Sequence, residues 1–362
     1  MAPQAVTISF RLGGDDGVAV EARKWAGALR ALGFTPRRIA GAIEGGGSPD
    51  DLVIPGLAID PPEPLDEQTL RAALDGADLV VVDNLCSLPL NLDAARTIAR
   101  IAAEHSGRVC FRHHDLPWQR RTLQHLESEF PPRVPGALHA TINLRSRREL
   151  NARGYEDAVT IHNFFDLDPA PGDRDATRMG LGFANDELVL FHPARAIERK
   201  NVPGGLRFAA RLGELVPDLR VHYWLSGPAE DGYGPTLGRI LERAPVPVTM
   251  GRAAPADGYA ACDLVAFPST WEGFGNPVIE SIAWRRPCVT GAYPVLAEVL
   301  ASGVRTFSTQ RPEDVARFLA EPAEVRERYY DVNLRRARLS FDLADLPKTI
   351  DAAFTAHGWL AW

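Results

Sequence analysis

The chain has 362 residues, which is enough for two domains of ordinary size. Its composition, with 45% hydrophobic and 24% charged residues, is typical of a soluble globular protein, and its net charge of −7 argues against general nucleic-acid binding. No run approaches the roughly 20 apolar residues of a membrane span, and no two of the four cysteines have metal-ligand spacing. We therefore expect a cytoplasmic protein with reduced thiols and no nucleic-acid partner, and peripheral contact with a membrane surface stays open.

The first half of the chain alternates short apolar segments with amphipathic segments, which predicts a parallel α/β sheet. A strand at 7–12 leads through a glycine-rich turn at 13–17 into a helix at 18–32, as in the opening unit of a dinucleotide-type domain. Because the turn has neither Gly-x-Gly-x-x-Gly spacing nor a Walker A lysine, a plain turn and a ligand loop both stay open. Further strands are predicted at 37–43, 52–57, 78–82, 108–111, 137–144 and 159–166, a loop at 45–49, and helices at 66–74, 92–104, within 117–129 and at 147–153, the last capped by Ser146.

Polar residues follow two of these strands at the point where each strand ends. Asn84 lies in the loop after strand 78–82, and Arg112, His113 and His114 come directly after strand 108–111. Because α/β sheets bind ligands at the carboxyl ends of their strands, these side chains are candidates for substrate contact. The alternative is structural, with His114 and Asp115 capping the next helix.

The second half repeats the alternation of strands and helices after a linker at 167–176 that is rich in proline, aspartate and glycine. The loop after its first strand carries Arg195 and Lys200, whose guanidinium and ammonium groups suit a diphosphate. Surface charge is the alternative for either residue alone, and their neighbour Arg199 is expected to be solvated. Strands are predicted at 187–191, 221–225, 246–250, 263–267 and 287–291, and helices from about 202 to 216 and at 257–261, 313–319, 324–338 and 346–357.

The most informative stretch runs from 267 to 280 and reads Phe-Pro-Ser-Thr-Trp-Glu-Gly-Phe-Gly-Asn-Pro-Val-Ile-Glu. It predicts the end of a buried strand, a loop with two glycines, and a helix that Asn276 caps and Pro277 enters. Gly273 and Gly275 let the backbone approach a bound group, and the free N–H groups of the helix start suit a phosphate.

Two carboxylates, Glu272 and Glu280, flank this predicted phosphate site. Because like charges repel, they are better suited to accept hydrogen bonds from the hydroxyl groups of a sugar or a ribose. Their spacing resembles the Glu-x7-Glu signature of retaining glycosyltransferases of the GT4 family, and Arg195 with Lys200 resembles the Arg-x4-Lys pair of that family. In the first half the resemblance rests on topology, the glycine-rich turn, and His114 followed by Asp115.

The resemblance implies an α/β protein with the GT-B fold, in which two Rossmann-like domains face each other across a cleft. Residues 1–166 would form the acceptor-side domain and residues 167–344 the domain that binds the nucleotide sugar. A last helix at about 345–362 would pack back on the first domain.

The resemblance also implies a function, the transfer of a hexosyl group from a nucleotide-diphosphate sugar to a hydroxyl acceptor with retention of configuration. A donor of the GDP-mannose or UDP-glucose type is implied, with no obligate metal or other cofactor. The implied catalytic residues are His114, Glu272, Arg195 and Lys200. The implied donor contacts are Gly14, Gly227, Arg252, Gly273, Phe274, Gly275, Asn276, Pro277, Val278 and Glu280. The acceptor-side candidates are Asp16, Gly17, Asn84, Arg112, His113 and Trp118, the last with a buried structural role as its alternative.

Two alternatives to this function stay open. One is a catalytically inactive nucleotide-sugar-binding protein on the same scaffold, because a fold does not fix a function. The other is a different GT-B enzyme, a phosphorylase or an epimerase, whereas a nicotinamide oxidoreductase is disfavoured because its fingerprint is missing. The acceptor is expected to be small and soluble, and the oligomeric state stays open.

Overall fold

The computed structural model describes residues 2–14, 16–45 and 48–359, which divide into two compact units. Unit 1 comprises the described residues up to Phe164 and from Leu343 onward, and unit 2 comprises Phe165–Asp342. Three predicted features extend outside the described residues: the glycine-rich turn at Asp15, the loop at 46–47, and the last helix at 360–362.

Unit 1 is built on a parallel sheet. Its strands are β1 (Gln4–Leu12), β2 (Thr35–Ile43), β3 (Leu52–Val53), β4 (Leu79–Asp83), β5 (Arg108–His113), β6 (Leu138–Thr141) and β7 (Val159–Thr160). Among the described residues they form one seven-stranded sheet in the order β3-β2-β1-β4-β5-β6-β7. The connecting helices are α1 (Gly17–Ala31), α2 (Glu67–Leu74), α3 (Leu92–Glu104) and α4 (Leu144–Asn151).

Unit 2 repeats this construction with a second parallel sheet. Its strands are β8 (Glu187–His192), β9 (Arg220–Leu225), β10 (Val248–Met250), β11 (Leu264–Phe267), β12 (Cys288–Thr290) and β13 (Phe307–Ser308). Within the part of the chain that the structure describes, their order is β10-β9-β8-β11-β12-β13. The helices are α5 (Arg174–Leu181), α6 (Val202–Leu215), α7 (Gly234–Leu241), α8 (Pro255–Ala261), α9 (Asn276–Ala283), α10 (Leu296–Ala301), α11 (Pro312–Ala320) and α12 (Ala323–Phe341).

The last helix, α13 (Leu346–Ala356), belongs to unit 1 although it follows unit 2 in the chain. Its apolar residues Leu346, Ile350 and Phe354 are buried in the same core as Trp25 of α1, on one face of the first sheet. The other face is covered from α2 and α3, and successive residues of β1 point to alternate faces, as a strand between two helical layers requires.

Both sheets have the doubly wound order in which the chain leaves the first strand in one direction and later returns to its other side. The switch points lie between β1 and β4 in unit 1 and between β8 and β11 in unit 2. Ligands bind in such folds in the crevice at the carboxyl ends of the two strands. The predicted fold class, α/β with two parallel Rossmann-like sheets, is confirmed.

Several local predictions are wrong. Residues 117–129 contain two short 3-10 turns, Pro117–Gln119 and Gln124–Leu126, where one helix was predicted. The helix predicted at 147–153 begins at Leu144, because Asn143 Oδ1 accepts a hydrogen bond from the backbone N–H of Ser146 at 2.6 Å and so caps it.

Helices α5 and α7 were not predicted. Inside the predicted linker, α5 begins at Arg174, because Asp173 Oδ1 accepts from the backbone N–H of Ala176 at 2.9 Å and caps it. The second is α7, which has two glycines and a proline that reduce its helical pattern. Among the described residues, no helix combines the length and apolar character needed to cross a bilayer.

Candidate active site

The loops after β8 and β11 flank the switch point of unit 2, and together with α9 they carry most of the predicted donor-binding residues. They are joined side by side by hydrogen bonds to backbone carbonyls. Thr270 N donates to Arg199 O at 2.9 Å, and Asn201 Nδ2 donates to Pro268 O at 3.1 Å. This pairing brings side chains that are about seventy positions apart in the sequence into one cluster.

At the centre of the cluster, the carboxylate of Glu272 lies between two cations. Lys200 Nζ donates to Oε1 at 2.6 Å, and an Arg199 guanidinium nitrogen donates to Oε2 at 2.9 Å. The expectation that Arg199 is solvated is therefore wrong, because this loop pairing turns its side chain toward Glu272. Burial opposes ionisation of Glu272, but Lys200 and Arg199 outweigh it and hold the pKa of the carboxyl below its ordinary value. Burial also lowers the pKa of the Lys200 ammonium, and Glu272 offsets part of that effect.

Arg195 lies on the same loop as Lys200 and forms an ion pair with Glu230 at 2.6 Å. The turn after β9 packs closely on this loop. A Cβ atom at Gly227 would come within 2.5 Å of the carbonyl oxygen of Ala194, so that position requires glycine. Arg252, after β10, is exposed.

The start of α9 differs from its prediction. Gly275 is the N-cap, with a φ of 98° that favours glycine, and Asn276 is the first helical residue. A Cβ atom at Gly275 would lie 2.1 Å from Tyr293 Oη. Pro277 and Val278 are buried, and Gly273 is partly exposed.

The prediction of Phe274 as a donor contact is wrong for its side chain. The ring is buried against Phe165 and Phe341, at centroid distances of 5.9 and 5.6 Å, because the loop folds inward there. Its backbone carbonyl accepts a hydrogen bond from Tyr293 at 3.2 Å. Phe274 therefore anchors the loop, and only backbone atoms at this position remain candidates for ligand contact.

Glu280, on α9, is held by a residue that the sequence analysis did not single out. Tyr259 of α8 donates from its hydroxyl to Glu280 Oε2 at 2.6 Å. The Tyr259 ring stacks on Trp284 with 4.6 Å between centroids and 3° between planes. Burial, with Glu280 adding to it, raises the pKa of Tyr259 well above its ordinary value, so this hydroxyl stays a hydrogen-bond donor.

In unit 1, the candidate residues Arg112 and His114 contact Asp83 at the end of β4, another residue that the sequence analysis did not single out. Asp83 Oδ1 lies 2.9 Å from His114 Nε2, and Oδ2 lies 3.1 Å from a guanidinium nitrogen of Arg112. Burial opposes ionisation of Asp83, but Arg112 and then His114 outweigh it and lower the pKa of the carboxyl. Asn84, at a φ of 63°, accepts from the backbone N–H of His114 at 3.3 Å.

The predictions of Arg112 and His113 as acceptor contacts are wrong. The prediction ended the strand at residue 111 and placed both residues after it. Strand β5 instead continues through both residues, and their side chains are buried in the protein interior. Arg112 forms ion pairs with Asp83 and Glu21 and lies over the ring of Trp25.

His113 is equally enclosed. Its Nδ1 lies 2.6 Å from Ser87 Oγ and its Nε2 lies 3.0 Å from His139 Nδ1. Burial lowers its pKa well below the ordinary value, so its imidazole stays neutral.

The remaining candidates of unit 1 have structural partners. Asp16 caps α1, with Oδ1 accepting from Val18 N at 3.0 Å, and Arg11 pairs with the same carboxylate at 3.1 Å. Trp118 donates from Nε1 to Glu149, and the guanidinium of Arg153 covers its ring at 3.9 Å from the centroid, while its role as an acceptor platform stays a prediction. Gly17 opens α1, and a Cβ atom at Gly14 would lie 3.0 Å from a carboxylate oxygen of Glu44.

The structure thus brings Lys200 and Glu272 into contact in unit 2, and Asn84 and His114 into contact in unit 1. Asp83, Arg199 and Tyr259, which sequence reasoning did not predict for the site, contact the predicted residues His114, Glu272 and Glu280. Among the described residues, no group of three or more His, Cys, Asp or Glu side chains is arranged to hold a metal ion.

Residues 189–324 match the model of a protein family described as "Glycosyl transferases group 1". Mannosylglucosylglycerate synthase of Petrotoga mobilis is 23% identical over 81% of this chain and 83% of its own length. D-inositol 3-phosphate glycosyltransferase of Kribbella flavida is 33% identical over 37% of this chain and 34% of its own length. A crystal structure of Anabaena Alr3699/HepE in complex with UDP-glucose superposes with a TM-score of 0.75 at 19% identity, covering 98% of this chain and 99% of that one.

The fold and these matches define a glycosyltransferase of the GT-B class. Residues 189–324 match the model of the group 1 glycosyl transferases, the GT4-type family that the motifs resemble. The predicted resemblance is therefore confirmed.

Proposed function

We propose that this protein is a retaining glycosyltransferase that moves a hexosyl group from a nucleotide-diphosphate sugar to a small, polar hydroxyl acceptor. The observation that carries the proposal is the cluster at the switch point of unit 2. There Lys200 and Arg195 share one loop, and Lys200 contacts Glu272, which lies four residues before the start of α9. Two cations and a helix N-terminus suit an anionic leaving group, while a carboxylate suits a sugar hydroxyl.

In this proposal the donor diphosphate binds to Arg195, Lys200 and the N–H groups at the start of α9. Charge builds on the diphosphate as the bond to the sugar breaks, and fixed positive groups stabilise that charge. Glu272 and the backbone at Gly273 and Gly275 hold the sugar. No obligate metal is required, because protein cations carry out the neutralisation.

Glu280 binds the ribose of the nucleotide in this scheme. Its carboxylate is fixed by the hydroxyl of Tyr259, which fills one lone-pair site of Oε2 and orients the group. Gly227 and Arg252, on the turns after β9 and β10, complete the proposed donor site on the side of the base.

Unit 1 supplies the acceptor side, where His114 and Asn84 are the proposed contacts. A small polar acceptor is supported by the names of the two relatives, which contain glycerate and inositol 3-phosphate. His114 orients the reacting sugar or shields its developing positive charge. His114 is proposed for this role because Asp83 contacts its Nε2 and fixes the orientation of the ring. The Nδ1 atom of the ring lies outside that ion-pair network.

The test begins with a thermal-shift panel of UDP-, GDP- and ADP-sugars, because a ligand that binds the folded state raises its melting temperature. The donor that binds is then incubated with inositol 3-phosphate and with glycosides of glycerate, in excess EDTA, and nucleotide release is measured. NMR of the product's anomeric proton reports retention. We expect acceptor-dependent release that falls at least about a hundredfold in Lys200→Ala and in Glu272→Ala.

Three outcomes contradict the proposal. Donor binding without turnover on any acceptor would indicate an inactive binding protein, and phosphate-dependent release of a sugar phosphate would indicate a phosphorylase. Full transfer by correctly folded Lys200→Ala and Glu272→Ala would show that the active site lies elsewhere in the protein. Arg211→Gln is the matched control, because Arg211 is exposed and pairs only with its helix neighbour Glu214 among the described residues.

A further inference from the structure

We propose that Arg199 is a positioning residue that keeps the Glu272 carboxylate in place when Lys200 turns from that carboxylate to the donor diphosphate. The inference rests on the proposed function, in which Lys200 binds diphosphate and Glu272 binds the donor sugar. Arg199 lies between Arg195 and Lys200 but outside the Arg-x4-Lys pair, so the role belongs to this chain's own cluster.

The two cations share the carboxylate in an ordered way. Lys200 occupies Oε1 and Arg199 occupies Oε2, at 2.6 and 2.9 Å. Each oxygen therefore has its own positive partner, and removal of one cation leaves the other contact unchanged.

The cations differ in how firmly the protein holds them. Arg199 also donates to the carbonyl of Trp271 at 2.9 Å, and its own carbonyl accepts from the backbone N–H of Thr270 at 2.9 Å. Among the described residues, Glu272 is the one hydrogen-bond partner of the Lys200 ammonium, which otherwise lies 5.2 Å from the ring centroid of Phe267. The flexible Lys200 side chain can therefore rotate toward another partner, whereas hydrogen bonds hold Arg199 to the loop that carries Glu272.

The charge balance makes a second cation necessary. Glu272 is buried, and a buried carboxylate that loses its partners is strongly destabilised or takes up a proton. If Lys200 left to neutralise a diphosphate and Arg199 were absent, Glu272 would become protonated or move outward. With Arg199 in place the carboxylate stays an anion, and the lone pairs on Oε1 that Lys200 releases become available to sugar hydroxyls.

The first experiment separates positioning from phosphate binding. Arg199→Gln and Arg199→Lys are compared with Lys200→Met, with Arg211→Gln as the exposed control. We expect Arg199→Gln to lose about tenfold or more in kcat, since it removes an interaction that supports the reacting geometry. Calorimetric affinity for the sugar-free nucleoside diphosphate should change by less than about threefold in Arg199→Gln and fall more than about tenfold in Lys200→Met.

The pH profile adds a readout that a merely structural role would not move. Loss of Arg199 should shift the acidic limb of kcat upward by about one pH unit, because an opposite charge beside a carboxyl lowers its pKa by roughly one to three units. Arg199→Lys keeps a positive charge beside Glu272, so its acidic limb should lie close to that of the wild type. A wild-type acidic limb in Arg199→Gln, or an equal loss of nucleoside-diphosphate affinity in Arg199→Gln and Lys200→Met, would overturn the inference.

A second experiment needs no activity and so distinguishes failure of the inference from failure of the proposed function. Lys200→Met imitates the state in which Lys200 has left Glu272. We expect that variant to melt cooperatively at pH 7, and the double variant Lys200→Met with Arg199→Gln to melt at a temperature lower than the two single shifts predict by addition. Adding Glu272→Gln should restore the lost melting temperature, since it removes the unpaired charge. Additive shifts, or no rescue by Glu272→Gln, would refute the role of Arg199 even if the wild type transfers sugar.

Discussion

His114 Nε2 lies 2.9 Å from Oδ1 of Asp83, in a pair that is buried at the end of β4. The pKa of Asp83 is lowered despite its burial, mainly by Arg112, so its carboxylate only accepts hydrogen bonds. The proton of a neutral His114 therefore stays on Nε2, and Nδ1 is left as an acceptor. Asp83 thus sets the tautomer of His114, in which Nδ1 can accept a hydrogen bond.

The first prediction is that Asp83→Asn lowers kcat by about tenfold to a hundredfold, because the variant disturbs the orientation of His114 on which the proposed reacting geometry depends. The asparagine amide can donate to Nε2, which moves the ring proton to Nδ1 and replaces an acceptor by a donor. Steady-state kinetics with the identified donor and acceptor test this, and KM for the donor should change little.

Glu21→Gln is the control for this prediction. Glu21 pairs with the same Arg112 at 3.4 Å, and its carboxylate is as buried as that of Asp83. It therefore perturbs the ion-pair network without altering the His114 contact. Equal losses of kcat in the two variants would show that the network supports only the fold.

The second prediction concerns Tyr259, whose hydroxyl donates to Glu280. Tyr259→Phe keeps the stacked ring on Trp284 but removes the hydrogen bond that orients the carboxylate. If Glu280 binds the ribose, the variant should lose much of the preference for a ribonucleotide donor over its deoxyribose analogue. We expect that ratio to fall by about three- to tenfold, equivalent to one hydrogen bond of about 1 kcal/mol.

The ratio of kcat/KM for the two donors is the measurement, because a general loss of stability affects both donors alike. Tyr223→Phe serves as the comparison, since Tyr223 is also buried but bonds to His192. An unchanged ratio in Tyr259→Phe would remove Tyr259 from ribose recognition.

The third prediction is that Glu230→Gln tightens donor binding. Glu230 pairs with Arg195 at 2.6 Å, and if Arg195 binds the donor diphosphate as proposed, the diphosphate must compete with that carboxylate for the guanidinium. Both side chains are about one-third exposed, so the pair contributes little to folding. We expect KM for the donor to fall by about two- to fivefold, with an effect that shrinks as salt screens the charges.

Glu214→Gln removes an exposed carboxylate of the same unit from its pair with Arg211, and it is expected to leave KM unchanged. Titrations at two ionic strengths provide the measurement. A rise of KM in Glu230→Gln would mean that Glu230 positions Arg195 for the donor and does not compete for it.

The sequence predicts those features of the fold and of the candidate site that depend on contacts between neighbouring residues in the chain. The strand and helix pattern and the loop positions of Lys200 and Glu272 follow from local apolar runs, glycines and prolines. The burial of Arg112 and His113 does not, because polar residues normally end a strand. Here Asp83 and Glu21 pair with Arg112, while Ser87 and His139 bond to His113, and all four come from other elements.

Arg199 shows the same limit in unit 2. Its sequence position predicts a solvated side chain, and only the pairing of the loops after β8 and β11 turns it toward Glu272. Likewise the N-cap of α9 falls on Gly275 because Tyr293 packs against that backbone, which the residue types at 275 and 276 do not reveal.

The last prediction is that unit 2 loses stability between pH 6.5 and 5 through His192. Burial lowers the pKa of this histidine to about 3 from an ordinary 6.5; Lys200 adds to the effect and Glu272 opposes it, while Tyr223 is its hydrogen-bond partner. Below pH 6.5 the unfolded chain takes up a proton that the folded chain refuses. The free energy of unfolding therefore decreases as the pH is lowered, by up to about 1.4 kcal/mol per pH unit.

Urea unfolding monitored by tryptophan fluorescence between pH 7.5 and 5 measures this slope. His192→Gln cannot titrate, so its slope should be shallower than that of the wild type by about one proton, whatever its absolute stability. His125→Gln, at an exposed site, should keep the wild-type slope. Because the carboxylates Glu272 and Asp83 have lowered pKa values, their protonation weakens the fold only at more acidic pH, which leaves this window to the buried histidines. An unchanged slope in His192→Gln would mean that the His192 imidazole takes up a proton in the folded protein as it does in the unfolded chain.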